Sequence, residues 1–184
     1  MSSAPNTVRN SRVIFKGHIV TLREDEVITE DGRIKKREVV EHDPVAVIVP
    51  YFEKTDEILL IEQFRDPVRR TLLEIPAGII RGDEAPERAA RRELTEETGY
   101  EAGSMDLLGE YYTSPGFTDE HYHLYLATKL KRVSGIQDTD EVAAIKKVKR
   151  GELLSLIRGG HIVDGKTITG YFWSADHLAH AKKR

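Results

Sequence analysis

The sequence predicts an α/β fold in which a mixed β-sheet lies between helices and is preceded by a small N-terminal β lobe. Short runs rich in β-branched residues make up most of the chain before residue 150, whereas helical spacing appears between residues 78 and 100 and towards the C-terminus. Runs of strands followed by helices, with no regular alternation of the two, favour a mixed sheet between helices.

Composition sets limits on the kind of protein. The 184 residues suffice for one domain with a sizeable core and a small extra lobe, and 39% hydrophobic with 32% charged residues is typical of a soluble globular protein. A net charge of -3 argues against nucleic-acid binding, and the absence of Cys excludes disulfides and thiolate sites. Because the polar start lacks the apolar core of a secretory signal, we expect a cytoplasmic protein. Since no apolar run approaches the length of a membrane span, we expect no membrane partner.

The N-terminal part divides into a leader and a lobe. Residues 1–10 are small and polar, which is typical of a flexible leader. Residues 11–43 are the predicted β lobe, because residues 18–22 and 26–29 have the β-branched content of short strands. The turn signal at residues 30–32 predicts a hairpin, although the charged residues that follow are also compatible with a solvated ribbon.

Residues 44–184 are the predicted catalytic domain. Residues 45–51 are too apolar to have an exposed face, which favours a central strand. Further strands are predicted at residues 58–64, 72–75, 105–112, 122–128 and 142–148. Helical spacing appears at residues 151–157 and 171–181.

The most informative stretch is a glycine-bearing loop that leads into an acidic helix, at residues 78–100. Residues three or four apart lie on one side of a helix, so Glu93 stands beside Glu96 and Glu97, and their charges repel. Carboxylates crowded in this way suit a hard divalent cation such as Mg²⁺, bound together with a substrate phosphate.

This stretch resembles the Nudix box, G-x5-E-x7-R-E-U-x-E-E-x-G-U, where U is aliphatic. The matching residues are Gly78, Glu84, Arg92, Glu93, Leu94, Glu96, Glu97 and Gly99. Tyr100 replaces the last aliphatic residue but still supplies an apolar side chain. The alternative, a plain solvated acidic helix, explains a bare E-x-x-E-E better than the whole pattern. The resemblance implies an α/β/α sandwich that hydrolyses a diphosphate linked to another group.

Flanking motifs favour one branch of that family. Residues 63–65 (Q-F-R), 73–78 (L-E-I-P-A-G) and 114–120 (S-P-G-F-T-D-E) resemble those of ADP-ribose pyrophosphatases and related nucleoside diphosphate sugar hydrolases. The resemblance implies hydrolysis of ADP-ribose to AMP and ribose 5-phosphate. Two alternatives stay open: a hydrolase of another nucleoside diphosphate sugar, and a non-catalytic module that senses ADP-ribose.

The resemblance also assigns the metal ligands. Glu93 and Glu97 are the principal ligands, Glu96 is an additional or water-mediated ligand, and the Ala77 backbone carbonyl completes the site. Arg92 is expected to pair with the carboxylates of the box rather than with substrate. The cofactor implied is Mg²⁺, with Mn²⁺ as the alternative.

The resemblance implies that a general base comes from outside the box, in a loop that would lie before the strand at residue 142. Glu141 is the first choice, and Asp140 and Glu120 are the alternatives. An ordinary exposed acidic loop would also explain residues 138–141.

The flanking motifs supply the candidate substrate contacts. The planar guanidinium of Arg65 suits the diphosphate, and Glu74 either accepts from substrate hydroxyls or anchors Arg65. Gly116 and Phe117 are assigned to the ribose side, and Glu120 to substrate as well.

In this branch the N-terminal lobe is commonly exchanged between two subunits. The resemblance therefore implies a homodimer in which Lys36 and Glu38 serve the neighbouring active site. A two-fold dimer would also cover the strand edges of the lobe reciprocally.

Overall fold

The computed structural model describes residues 6–133 and 142–181. The strands are β1 Asn6–Lys16, β2 Val20–Thr29, β3 Ile34–His42, β4 Val45–Phe52, β5 Glu57–Arg65, β6 Arg70–Glu74, β7 Ala77–Ile79, β8 Tyr100–Tyr112, β9 His121–Arg132 and β10 Val142–Lys149. The helices are α1 Pro86–Thr98, α2 Arg150–Arg158 and α3 Gly165–Ala181, together with a short 3-10 turn at Asp66–Val68. None of the described helices is long and apolar enough to cross a membrane.

Contacts between residues divide the chain into two compact units. The first consists of Met1–Pro44 and Tyr111–Tyr122, and the second of Val45–Glu110 and His123–Arg184. The second unit begins at Val45, one residue after the predicted start of the catalytic domain at residue 44. Residues 111–122 differ from the prediction, because they group with the N-terminal unit rather than with the catalytic domain.

The first unit contains a three-stranded antiparallel sheet in the order β1-β2-β3. The predicted leader extended too far, since β1 begins at Asn6, which pairs with Thr29. Every residue of β1 is exposed, so the strand lacks the alternation of apolar and polar residues that would reveal it in the sequence.

Strand β2 is continuous where the sequence predicted two short strands. Its pairing with β3 runs without a break from Val20 opposite His42 to Ile28 opposite Ile34. The predicted hairpin turn is confirmed: Gly32 adopts a φ of 75° and its N–H donates to the Thr29 carbonyl at 2.8 Å. Charged residues in the middle of β2 interrupt the β-branched pattern, which is why the sequence predicts two short strands there.

The second unit is built on a seven-stranded mixed sheet, which confirms the predicted fold class. Its order is β10-β5-β4-β9-β8, with β6 paired to β5 and β7 paired to β4. Strand β4 is buried from Val45 to Tyr51, as the predicted central strand requires. Strand β7 extends the sheet beside β4 and carries the glycine of the box.

Helices cover both faces of this sheet. Successive residues of β4 point to opposite faces, and Ala46 and Ile48 pack with Leu94 of α1. On the other face a Cβ added to Gly170 of α3 would lie 3.0 Å from Val49, so α3 contacts the sheet closely there. Both β7, which pairs with β4, and α1, which packs on β4, are therefore held by the buried core.

Candidate active site

Helix α1 carries the acidic cluster, and local sequence sets its ends. Pro86 occupies the first turn, where its missing N–H needs no partner. Gly99 ends the helix with a φ of 69°, and its N–H donates to the Thr95 carbonyl at 2.9 Å. These signals fix the register of the helix, and with it the face on which Glu93 and Glu97 are buried.

Gly78 allows the Glu93 carboxylate to lie directly against the backbone of β7. In that strand Gly78 pairs with Ala46 of β4. A Cβ added to Gly78 would overlap the Glu93 carboxylate, so any side chain at position 78 would displace it. The glycine is needed here for space.

Glu97 lies one helical turn beyond Glu93 and approaches the same strand. One of its carboxylate oxygens accepts a hydrogen bond from the Ala77 N–H at 3.2 Å. Glu93 and Glu97 are only 8% and 5% exposed. Two buried carboxylates at the backbone of residues 77 and 78 offer the hard oxygen donors that Mg²⁺ or Mn²⁺ takes, so the residues present fit a divalent cation.

Arg92 connects the carboxylates of the box. Its Nε and Nη2 donate to the two carboxylate oxygens of Glu84 at 3.2 and 2.9 Å. Its Nη1 donates to Glu96 at 3.2 Å and also to Glu93. Its Nη2 donates as well to the Ile79 carbonyl at 3.0 Å. The expected pairing of Arg92 with box carboxylates is therefore confirmed.

Electrostatics at this cluster favour a further positive charge. Burial is the largest influence on the pKa of Glu93 and raises it, although the hydrogen bond from Arg92 acts in the opposite direction. The hydrogen bond from Arg92 lowers the pKa of Glu84. Because Arg92 is shared among Glu84, Glu93 and Glu96, it does not fully compensate the burial of Glu93. A bound cation would stabilise the ionised form.

Arg65 and Glu74 form a bidentate ion pair between neighbouring strands. The Arg65 Nε and Nη2 donate to the two oxygens of Glu74 at 3.0 and 2.7 Å, and Glu74 is 1% exposed. Of the two roles considered for Glu74, the anchoring of Arg65 accounts for these contacts. The pKa of Arg65 is raised, first by the hydrogen bond with Glu74 and then by the charges of Glu74, Asp164 and Glu97. Arg65 therefore lies within electrostatic reach of the acidic cluster.

The sequence reasoning missed the first turn of α3. Lys166 donates to Glu74 and, at 3.1 Å, to Asp164. Thr167 Oγ1 accepts a hydrogen bond from the Ile75 N–H at 2.9 Å. No motif in the sequence connects residues 74 and 166, so only the folded chain reveals the contact.

The model of the NUDIX domain family matches residues 42–169. This chain belongs to the NUDIX domain family. A second model, the nucleoside diphosphate sugar hydrolase N-terminal domain, matches residues 7–40 of this NUDIX protein. The match that begins at residue 7 agrees with the start of β1 and not with a leader that extends to residue 10.

Named relatives of this NUDIX protein span most of its length. A methanol dehydrogenase activator of Bacillus methanolicus is 40% identical over 158 residues, and an ADP-ribose pyrophosphatase of Bacillus subtilis (strain 168) is 39% identical over 156 residues. Each alignment covers 84% of both chains. The crystal structure of an ADP compounds hydrolase superposes with a TM-score of 0.86 at 18% identity and covers 98% of both chains, which shows a shared fold.

The remaining predicted substrate residues of this NUDIX protein lie in the first unit. The Phe117 carbonyl accepts from the Val40 N–H at 2.8 Å, which ties the loop at residues 114–120 to β3. Phe117 is 58% exposed, and a Cβ on Gly116 would meet no atom within 4 Å. Their assignment to the ribose side stays a prediction.

Glu120 is held by hydrogen bonds within the first unit. Its carboxylate oxygens accept from Thr113 Oγ1 at 2.6 Å and from the Tyr122 hydroxyl at 3.2 Å, and His42 Nδ1 lies 3.8 Å away. These contacts explain a role in fixing the loop, and the substrate and general-base assignments of Glu120 stay predictions.

Lys36 and Glu38 lie on β3. The Lys36 ammonium group donates to Glu24 at 2.9 Å, and Glu38 is exposed. Glu141 and Asp140, the first and second choices for the general base, lie outside the described residues.

Proposed function

We propose that this NUDIX protein is a Mg²⁺-dependent ADP-ribose pyrophosphatase that hydrolyses ADP-ribose to AMP and ribose 5-phosphate. The observation that carries the proposal is the buried pair of carboxylates, Glu93 and Glu97, at the backbone of Ala77 and Gly78. The Bacillus subtilis relative named ADP-ribose pyrophosphatase supports the choice of substrate.

Glu93 and Glu97 would hold the cation, with Glu96 and the Ala77 carbonyl as further ligands. When bound, the cation lowers the pKa of water and reduces the repulsion between a hydroxide-like nucleophile and the anionic diphosphate. Arg92 keeps Glu93 and Glu96 in place through its hydrogen bonds. We propose Mg²⁺ as the physiological ion and Mn²⁺ as a substitute.

Arg65 is proposed to bind the diphosphate. Glu74 uses Nε and Nη2 of the guanidinium, and among the described residues Nη1 has no hydrogen-bond acceptor. Its two N–H groups are therefore available to a phosphate oxygen, in a charge-assisted hydrogen bond. Glu74 fixes the plane of the guanidinium and thus the direction in which Nη1 donates.

Glu141 is proposed as the general base that removes a proton from the attacking water. Its place in the sequence supports the choice, because it directly precedes β10, where the resemblance locates a catalytic loop. Proton removal makes the water oxygen a better nucleophile at phosphorus. The P–O bond to the bridging oxygen then breaks, which releases AMP and ribose 5-phosphate.

We propose a homodimer in which the N-terminal lobe is exchanged. Strand β1 lies at the edge of its sheet and exposes large apolar side chains, including Val8 at 56%, Val13 at 58% and Phe15 at 58%. Apolar edge strands are normally covered, and a second copy would cover them. Lys36 and Glu38 would then reach the partner's site. Light scattering that gives the monomer mass across a wide concentration range would exclude exchange.

The main alternative is hydrolysis of another nucleoside diphosphate sugar. The family model for residues 7–40 favours it, because that model is named for nucleoside diphosphate sugar hydrolases in general. A non-catalytic ADP-ribose sensor is a weaker alternative, since Glu93, Glu96 and Glu97 are all present. A cytoplasmic location remains part of the proposal, and cell fractionation tests it.

A substrate panel discriminates these possibilities. Purified protein with Mg²⁺ is incubated with ADP-ribose, GDP-mannose, UDP-glucose and NADH in ¹⁸O-water, and the products are identified by mass spectrometry. We expect ADP-ribose to give the highest kcat/KM. Preference for another sugar would support the first alternative, and binding of ADP-ribose without cleavage would support the sensor. The product that carries ¹⁸O identifies the phosphorus attacked.

A further inference from the structure

Lys166 occupies a position that is unfavourable for a lysine. It is the second residue of α3, and positive charge near a helix N-terminus opposes the helix dipole. It is also 8% exposed, and burial of an ammonium group is costly without a partner. A lysine at such a place requires compensating negative charge.

That charge comes from Glu74 and Asp164. The Lys166 ammonium group donates to Glu74 Oε2, the same oxygen that accepts from Arg65 Nη2 at 2.7 Å. It also donates to Asp164 Oδ1 at 3.1 Å. Glu74 therefore lies between two cations, one of which, Arg65, is the proposed contact for the diphosphate.

The other groups of this turn hold Lys166 in place. Asp164 Oδ2 accepts from the Thr167 N–H at 2.9 Å, as an N-cap residue does. Thr167 Oγ1 in turn accepts from the Ile75 N–H at 2.9 Å. The first turn of α3 thus contacts both the side chain of residue 74 and the backbone of residue 75, immediately before the segment that holds Glu97.

We propose that Lys166 is a positioning residue that holds Glu74 in the orientation that directs Arg65 at the substrate diphosphate. A single carboxylate that faces only Arg65 would neutralise it and could rotate with it. With Lys166 present, Glu74 is oriented by a second cation, and its charge is shared. Arg65 then keeps both its direction and its attraction for an anion. The inference rests on the proposed function, because it assumes that Arg65 binds a diphosphate.

A double-mutant cycle tests this inference, with Lys166→Met, Arg65→Ala and the double variant. We expect Lys166→Met to lower kcat/KM for ADP-ribose by roughly 10- to 100-fold, since small displacements of a positioning group cost about this much. In the Arg65→Ala background the same change should have little further effect, because the group that Lys166 positions is gone. Lys166→Arg, which keeps the charge, should recover part of the activity.

Controls separate positioning from folding. Lys54→Met removes an ammonium group from an exposed turn and should leave kcat/KM unchanged. Thermal unfolding of every variant identifies those that do not fold. If Lys166→Met does not fold, Lys166→Gln replaces it in the cycle, because Gln keeps a hydrogen-bond donor to Glu74 while removing the charge.

Binding of the α,β-methylene analogue of ADP-ribose with Mg²⁺, measured by calorimetry, provides a readout that needs no turnover. A folded Lys166 variant that binds and hydrolyses as the wild type does would overturn the inference. So would an effect of equal size with and without Arg65, since Lys166 would then act independently of it. If the wild-type protein binds the analogue but does not cleave ADP-ribose, the proposed function is wrong and the inference is still testable. The affinities of the wild type and the three variants for the analogue then replace kcat/KM in the double-mutant cycle.

Discussion

Replacing Gly78 with Ala would place a methyl group where the Glu93 carboxylate lies. The φ angle of Gly78 lies outside the left-handed region, so the backbone itself tolerates alanine and the conflict is one of space. Helix α1 cannot move away easily, because Ala89, Ala90 and Leu94 are fully buried against the sheet. The Glu93 side chain must therefore leave its place.

The expected loss follows from what Glu93 does there. Its displacement removes a proposed cation ligand and the contact with Arg92, and loss of one preorganised electrostatic group typically costs about 10²- to 10³-fold in kcat. Overpacking adds a stability cost of about 1–3 kcal/mol. In a protein of this size each kcal/mol lowers Tm by about 2–4 °C, so the variant should still be folded at 25 °C.

The assay measures kcat for ADP-ribose over a range of Mg²⁺ concentrations, together with the Mg²⁺ affinity of the protein. Gly151→Ala is the matched control, because a Cβ at that position of α2 would meet no atom within 4 Å. We expect the control to keep wild-type activity. A Gly78→Ala protein with wild-type kcat and Mg²⁺ affinity would refute the assignment of Glu93 as a ligand held at the Gly78 backbone.

Three further predictions address the base, the arginine and the pH dependence. Glu141→Gln should lower kcat by at least about 10²-fold while Mg²⁺ affinity stays nearly constant, and unchanged turnover would remove Glu141 from the mechanism. Arg92→Lys should lower the free energy of unfolding by about 1–3 kcal/mol in urea denaturation, because an ammonium group cannot replace the paired hydrogen bonds to Glu84; an unchanged midpoint would contradict this. Without metal, the protein should lose stability as pH rises from 4.5 through the raised pKa of Glu93, because over that range Glu93 ionises more readily in the unfolded chain than in the folded protein. Mg²⁺ should reverse this loss, because it favours the ionised carboxylate. A series of Tm values against pH that is the same with and without Mg²⁺ would contradict the prediction.

The parts of the fold that could be predicted were those with a local signal. Strand β4 is recognisable because a run of apolar residues admits no exposed face, and α1 because its end is set by Gly99. Strand β1 carries no such signal. Its residues are all exposed, and the pairing with β2 that makes it a strand joins residues up to 23 positions apart, as Asn6 and Thr29 are.

The site divides in the same way. The sequence by itself determined that Glu93, Glu96 and Glu97 lie together on one side of a helix, because residues three or four apart on a helix must share a side. Local geometry of this kind needs no knowledge of the rest of the chain. The family and the pairing of Arg92 with the box carboxylates came from the resemblance to the box, since Glu84 precedes the helix and Glu93 is adjacent to Arg92.

Only the tertiary structure decided what surrounds that helix. The position of the Glu93 carboxylate on Gly78 depends on how closely α1 approaches β7, which spacing along the chain does not specify. The contact of Lys166 with Glu74 joins residues 92 positions apart. No local pattern predicts such contacts, because they form only when the sheet brings distant segments of the chain together. Burial then makes their charges interact strongly.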